Sequence, residues 1–339
     1  MRYTKLNQNQ SGLVSIIVTM FIMMILGITV IGFAQVSRRE QRQTLDRQLS
    51  TAAYYSAESG INDIMQKLDK GSLADITDCN DGALPASERN IGSSGNFAYT
   101  CALLTQAPGN LEYGSIDTDK SQIIPINTTA NINKIEISWQ DKSGGIPSFS
   151  TSTPPAVSLP SKAAWTFSPG MLEVYLTPES SYTRTNMTTN TIVGYLYPSS
   201  RPAGTLLPTS RGDIVSGGCN NANTPKHCKV SITVPSGNKF RLRLRSIYKS
   251  NAVTVTAYSG VTPVSVTGTQ SIIDVTGRAS DVLRRVQVRV PRYKNYNYPE
   301  YVLDSADTIC KRLKVYPTGG TVDDKSDLDP TLDPACKLY

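Results

Sequence analysis

The chain has little of what most enzymes need. Its one histidine, His227, stands beside Cys228 in a stretch rich in Asn and Gly. Any Ser/His/Asp or Cys/His mechanism would have to recruit it, and an exposed loop position is the simpler reading. No GxSxG, HExxH, GxxxxGK[ST] or GxGxxG occurs, which removes the usual nucleophile elbow, zinc-protease helix and phosphate-cradling loops. CxxC is absent too, and no histidine stands at zinc-finger spacing, so no metal framework is expected. The chain is therefore not read as an enzyme, and no cofactor is expected. No internal repeat is apparent.

Other absences are local. No charged residue lies between Lys5 and Arg38, and no proline occurs before Pro85. Charged residues are only 18% of the 339, against 39% apolar ones, a balance that folds and excludes a disordered chain. A formal net charge of +7 is mildly basic and too widely spread to identify a partner. The length is enough for two or three domains at about 100–200 residues each.

Six cysteines fall in three neighbouring pairs: Cys79 with Cys101, Cys219 with Cys228, and Cys310 with Cys336. Three local disulfides formed in an oxidising compartment are expected, each contributing about 3 kcal/mol. Connectivity does not follow from sequence, and six buried thiols is the competing reading.

Residues 13 to 34 read LVSIIVTMFIMMILGITVIGFA. At about 1.5 Å per residue such a helix crosses a hydrocarbon core of about 30 Å. A polar segment, MRYTKLNQNQSG, precedes it. A secretory signal peptide with Gly32 and Ala34 near its cleavage site, and an uncleaved signal anchor, are two readings of this arrangement. A third comes from the residues beyond the span. Leu45, Leu49, Ala53, Ala57, Ile61, Ile64 and Leu68 recur at steps of three and four, one apolar helical face. With Gly71 as a stop, one helix over about 13–70 is expected, apolar all round in its first half and amphipathic in its second.

A short basic leader ending in Gly, a uniformly apolar half-helix and an amphipathic half-helix resemble the N-terminus of type IV pilins and pseudopilins. Within these the chain looks most like the PilX-type minor pilins, whose helix often ends in a segment similar to AlaGluAlaGlyLeu. Here Ala57-Glu58-Ser59-Gly60-Ile61 stands in that place. The likeness covers about residues 8–70. It implies a leader over 1–12, cut by a prepilin peptidase between Gly12 and Leu13, with the new amine of Leu13 methylated. It also implies packing of Leu13 and Ile17 among other pilins of a filament. Most pilins carry glutamate at the fifth mature position, where it is thought to compensate a neighbour's buried amine; Ile17 occupies that position here. A buried unpaired ion costs several kcal/mol, so a subunit without the glutamate suits an end better than the shaft. The minor pseudopilin at the tip of type II secretion filaments lacks it similarly, and placement at or near the tip is expected.

Arg38, Arg39, Arg42 and Arg47 follow the span, while only Arg2 and Lys5 precede it. A positive-inside count would put the large C-terminal part in the cytoplasm. The paired cysteines and Ser/Thr-rich strands argue instead for a single pass through the cytoplasmic membrane with that part outside, destined for the cell surface or pilus.

Beyond residue 71 an α+β fold is completed by antiparallel strands, as a sandwich or a split sheet with insertions. Runs 134–140, 171–177, 191–197, 229–234, 239–248, 252–258, 271–275 and 283–290 are the expected strands. A first β region over 71–142, a Pro/Ser/Gly-rich linker over 143–163 and a β-rich domain over 164–339 are expected. Val286, Val288 and Val290 alternate with polar residues, and Pro291 ends the run or marks an edge. Similar basic strands follow a Gly-x-Ala phrase (here Gly277-Arg278-Ala279) late in PilX-type proteins, so this strand is expected near the amphipathic half-helix.

Two basic features are candidate ligand surfaces. Arg241, Arg243 and Arg245 share one strand face with Lys239. Near the other, Tyr293, Tyr296, Tyr298 and Tyr301 interleave with Arg292 and Lys294. Such surfaces suit adhesion to a protein or glycan, and less strongly the stacking and phosphate contacts of nucleic acid. Asp323, Asp324, Asp327, Asp329 and Asp333 crowd the segment before Cys336. Calcium favours such oxygen-rich loops, but Leu328 and Pro334 stand where an EF-hand needs Gly and Glu. A solvated acidic loop closed by Cys310 and Cys336 is the reading adopted. The expectation is a minor pilin that primes assembly or contacts surfaces; the alternative is a membrane-anchored adhesin or DNA-capture protein outside any filament.

Overall fold

The computed structural model describes residues 11–71, 73–79, 90–91, 96–118, 120–144, 148–151, 161–179, 189–220 and 228–292. Its first element is one unbroken helix, α1 (Ser11–Asp69), of 59 residues, or about 88 Å. Nothing in the sequence interrupts it. Within its apolar stretch the hydroxyls of Thr19 and Thr29 donate to the carbonyls of Ile16 (2.9 Å) and Leu26 (2.8 Å), so neither needs an outside partner. Gly71 ends the helix with φ +68°, its N–H bonded to the Leu68 carbonyl at 2.9 Å. That left-handed conformation is the usual glycine stop.

Fourteen strands follow among the described residues. They are β1 (Asn90–Ile91), β2 (Phe97–Thr105), β3 (Leu111–Ile116), β4 (Ser121–Asp141), β5 (Met171–Pro178), β6 (Ile192–Tyr197) and β7 (Thr205–Leu206). After these come β8 (Arg211–Ser216), β9 (Cys228–Ile247), β10 (Asn251–Ser259), β11 (Thr262–Val264), β12 (Val266–Thr267), β13 (Gln270–Ala279) and β14 (Val282–Pro291). The architecture is α+β, a long apolar helix followed by mainly antiparallel sheets.

The smaller sheet, β1-β2-β13-β14, lies under the second half of α1. Ala57, Ile61, Ile64 and Leu68 of the helix share a core with Tyr99, Ala102, Leu104, Ile273 and Val275. Burial of Ile61, Ile64 and Leu68 stabilises this contact by about 1.5–3 kcal/mol each. The closest approach is at Gly277: a Cβ there would stand 2.1 Å from the Ala53 carbonyl oxygen and 2.3 Å from the Ala57 amide nitrogen. Gly60 is the counterpart on the helix, where a Cβ would meet Tyr99 and Val275 side chains at 2.8 Å. A register shift between Thr276 and Gly277 pairs Gly277 with Tyr99. This bulge turns Tyr99 toward the helix, beside the gap that Gly277 leaves. Val286, Val288 and Val290 of β14 pack on the same core. Arg292, just beyond Pro291, donates to the Leu68 carbonyl (3.2 Å) and pairs with Asp69 (3.4 Å) at the helix end.

The larger sheet runs β11-β10-β4-β9-β5-β6-β8 and folds over on itself along β4 and β9. Residues Ile124 and Ile126 from the first half of β4 and Ile135, Ile137 and Trp139 from the second all lie in one core. Buried positions in β4 change from even to odd across a register shift between Ile132 and Lys134. From Asn127 to Lys134, across both register shifts, β4 spans one residue more than β9, which keeps both halves facing inward after the fold-over.

This sandwich is an insertion between β2 and β13, which are direct neighbours in the smaller sheet. Its two connections are tied together. Val266 N–H donates to the Pro108 carbonyl (3.0 Å), and Gln270 exchanges side-chain hydrogen bonds with the Glu112 backbone (3.0 and 2.8 Å). The division at 143–163 is therefore corrected: β4, before it, is laddered to β9 and β10, after it. Pro/Ser/Gly composition alone does not mark a domain boundary. The runs 229–234 and 239–248 are likewise one bent strand, β9.

Gly277→Ala forces a methyl into the helix backbone and is expected to cost about 1–3 kcal/mol. Gly60→Ala, which meets only side chains, is expected to cost less. Urea unfolding of the full chain in detergent micelles measures both.

Candidate functional surfaces

Two surfaces stand out. The first is the free part of α1, where every residue from Ser15 to Gln48 is exposed. Met20, Phe21, Met24 and Phe33 are 68%, 61%, 57% and 76% exposed, and no charge lies between Lys5 and Arg38. The stretch is long and apolar enough to cross a membrane. Gly12 and Leu13 lie in its first turns, and Ile17 is 46% exposed. Arg38, Arg39, Arg42 and Arg47 are exposed on the same helix, just beyond the apolar run.

The second surface is the outer face of the sandwich layer built from β8, β6, β5, β9 and the first half of β4. Buried positions of β9 are even-numbered, which leaves Arg241, Arg243 and Arg245 on the outer side. Strand register then lays residues out in rows. One end is a covered cluster in which Trp165 stacks on Tyr248 (centroids 4.5 Å) and meets Phe167 and Tyr197 edge-on. The next row pairs Arg245 with Glu173 and Glu173 with Tyr195. Glu173 accepts from Arg245 Nε at 2.7 Å and from the hydroxyls of Tyr175 and Tyr195 at 3.3 and 3.4 Å. Burial pushes both phenols above their ordinary value, and the adjacent Glu173 carboxylate pushes the same way. They stay protonated and remain donors.

The third row crosses five strands: Ile123, Arg243, Tyr175, Val193 and Arg211. Arg243 lies over the Tyr175 ring, 5.3 Å from its centroid. Arg211 donates to the carbonyls of Pro208, Ser210 and Thr189. Arg241, in the row beyond, pairs with Glu179 at 2.9 Å. Together with Thr177 and Thr191, these residues line an open groove of about 470 Å³.

Two of the three arginines singled out in sequence are thus held by carboxylates, while Arg243 rests on an aromatic face. Tyr175, Val193 and Arg211 were missed. They come from three other strands, and no local spacing links them to β9. Tyr293, Tyr296, Tyr298, His227 and Asp323 to Asp333 lie outside the described residues. Arg292 serves the helix end.

Cys79 is bonded to Cys101 and Cys219 to Cys228, with Cα–Cα distances of 4.5 and 3.9 Å. Cys310 and Cys336 lie outside the described residues. Such bridges belong to oxidising compartments.

The two ion pairs should differ in worth. Glu173 is 8% exposed at its side chain and Arg245 34%. Glu173→Gln removes the buried carboxylate to which Arg245 Nε and the Tyr175 and Tyr195 hydroxyls donate and is expected to cost about 1–3 kcal/mol. Glu179 and Arg241 are more open, at 23% and 40%, and Glu179→Gln is expected to cost under about 1 kcal/mol. Urea titration of the full chain separates them.

Comparison with known protein families, with curated proteins and with solved structures finds no match in any of the three.

Proposed function

We propose that this chain is a minor subunit of a type IV pilus-like filament, placed at or near the tip, where it primes assembly or contacts a surface. The observation that carries the reading is the free half of α1. A long uncharged stretch stands clear of the folded body, continuous with a half whose Ala57, Ile61, Ile64 and Leu68 rest on a sheet. An exposed apolar rod of that length needs lipid or similar rods around it. A helix fixed to its body along the second half can pass from the membrane into a bundle without refolding.

Two further points support it. The segment resembling the PilX-type helix motif, Ala57 to Ile61, and the Gly277-Arg278-Ala279 phrase meet where Gly277 touches the Ala57 backbone. Second, Ile17 leaves no carboxylate in the apolar half to pair with a neighbour's amine. On this reading a prepilin peptidase cuts between Gly12 and Leu13. The cytoplasmic membrane holds the subunit until other pilins draw it out, with the disulfide-bonded body outside. The same body on an uncleaved anchor would be a surface-binding protein, and the arginine-bearing groove favours that second reading.

Mass spectrometry of the native chain is expected to find N-methyl-leucine from Leu13 at the mature end. An intact Met1, or a start at Gln35, overturns the filament reading. For position, Ile17→Glu restores the carboxylate, and immunogold labelling is expected to spread from filament ends into the shaft. Labelling still confined to ends would remove the link between Ile17 and the tip.

A further inference from the structure

The outer face of the sandwich changes along its strands from covered to neutralised to open. At one end aromatic rings are packed together. In the middle Glu173 answers Arg245. Beyond it lies the groove, where Arg243 and Arg211 face no carboxylate among the described residues. Between β5 and β6, residues 179–191 hold one acidic residue, Glu179, and it pairs with Arg241 at 2.9 Å. Two guanidinium groups with no carboxylate partner among the described residues thus border an apolar floor of Tyr175, Val193 and Ile123.

We propose that this groove binds an acidic saccharide, a sugar carrying a carboxylate. Four features select that chemistry. Among the described residues the charge is positive and unanswered, which suits an anionic ligand, and guanidinium groups take carboxylates through two parallel hydrogen bonds. The floor combines the Tyr175 ring, which Arg243 overlies at 5.3 Å, with flanking aliphatic side chains, an apolar patch of the kind the C–H groups of a pyranose pack on. The hydroxyls of Thr177 and Thr191, 3.0 Å from each other, have capacity left for sugar hydroxyls at the rim.

The fourth feature is the backbone. β5 is laddered on both sides, to β9 and β6, and β6 also to β8. Over the floor, between β9 and β6, an extended acidic peptide therefore finds no open strand edge to augment; the sheet ends one strand beyond, at β8, and recognition on the floor goes through side chains. Nucleic acid is the weaker fit. Two guanidinium groups neutralise at most about two phosphates, too few for a single-strand track. The proposal needs the sandwich to be outside but does not depend on membership of a filament, so the fate of Leu13 leaves it untouched.

The full chain in detergent micelles is tested by biolayer interferometry against biotinylated sialyllactose, a galacturonate tetramer, lactose and a 20-nucleotide single strand. At least one acidic sugar is expected to bind while lactose does not, and Arg243→Gln is expected to weaken binding tenfold or more. Arg211→Gln should do the same. Because Arg211 also holds three backbone carbonyls, Val193→Glu, which places a carboxylate on the floor, is the second route and should abolish binding. Near-UV circular dichroism checks that each variant is folded. No binding of either acidic sugar by the unaltered chain overturns the proposal. So does binding unchanged in both Arg243→Gln and Val193→Glu, or an arginine-dependent preference for the single strand.

Discussion

The backbone of α1 rests on the backbone of β13 with no side chain between them. Everything else in the smaller sheet is arranged around that approach. Gly277 removes the one Cβ that would hold the layers apart, Ala53 and Ala57 keep the helix side thin, and Gly60 makes room for Tyr99 and Val275. The bulge in register beside Gly277 sets Tyr99 facing the helix. Larger side chains, Ile61, Ile64 and Leu68, then fill the space where helix and sheet diverge. Close contact at one point and bulk beyond it fix both the distance and the direction of the rod.

That fixation divides the helix into two solvents. Up to Gln48 it belongs to whatever surrounds it, and from Ala53 it belongs to the sheet. Arg38, Arg39, Arg42 and Arg47 sit at the junction, with Glu40 and Asp46 on the same helix. Counted by sign alone, these arginines would draw the body to the cytoplasmic side. The Cys79–Cys101 and Cys219–Cys228 bonds oppose that placement, since such bridges are rare in reducing compartments.

Much of this was legible in the residues alone. The absence of proline and the three-and-four spacing of Ala53, Ala57, Ile61, Ile64 and Leu68 outline α1 to within about two residues at each end. The alternation of Val286, Val288 and Val290 marks β14, and alternating arginines mark the second half of β9. What sequence hides is register and nesting. β2 and β13 are neighbours in space but far apart in the chain, so the insertion between them leaves no local signal. The first half of β4 was missed: only 134–140 is expected as a strand, because the Thr and Asn residues at the bend read as a turn. The groove is illegible for the same reason. Arg243, Tyr175, Val193 and Arg211 meet only because four strands pair in one register.

The nesting of the sandwich has a mechanical side. It is attached at the C-terminal end of β2 and the N-terminal end of β13, two strands lying next to each other. Tension on the sandwich drags both the same way, so their mutual ladder is not sheared. The load passes instead to the ten-residue pairing of β13 with β14, loaded lengthwise so that its bonds must yield together, and to the seat of the rod. A head hung on adjacent strands in this fashion can be pulled hard without being unzipped.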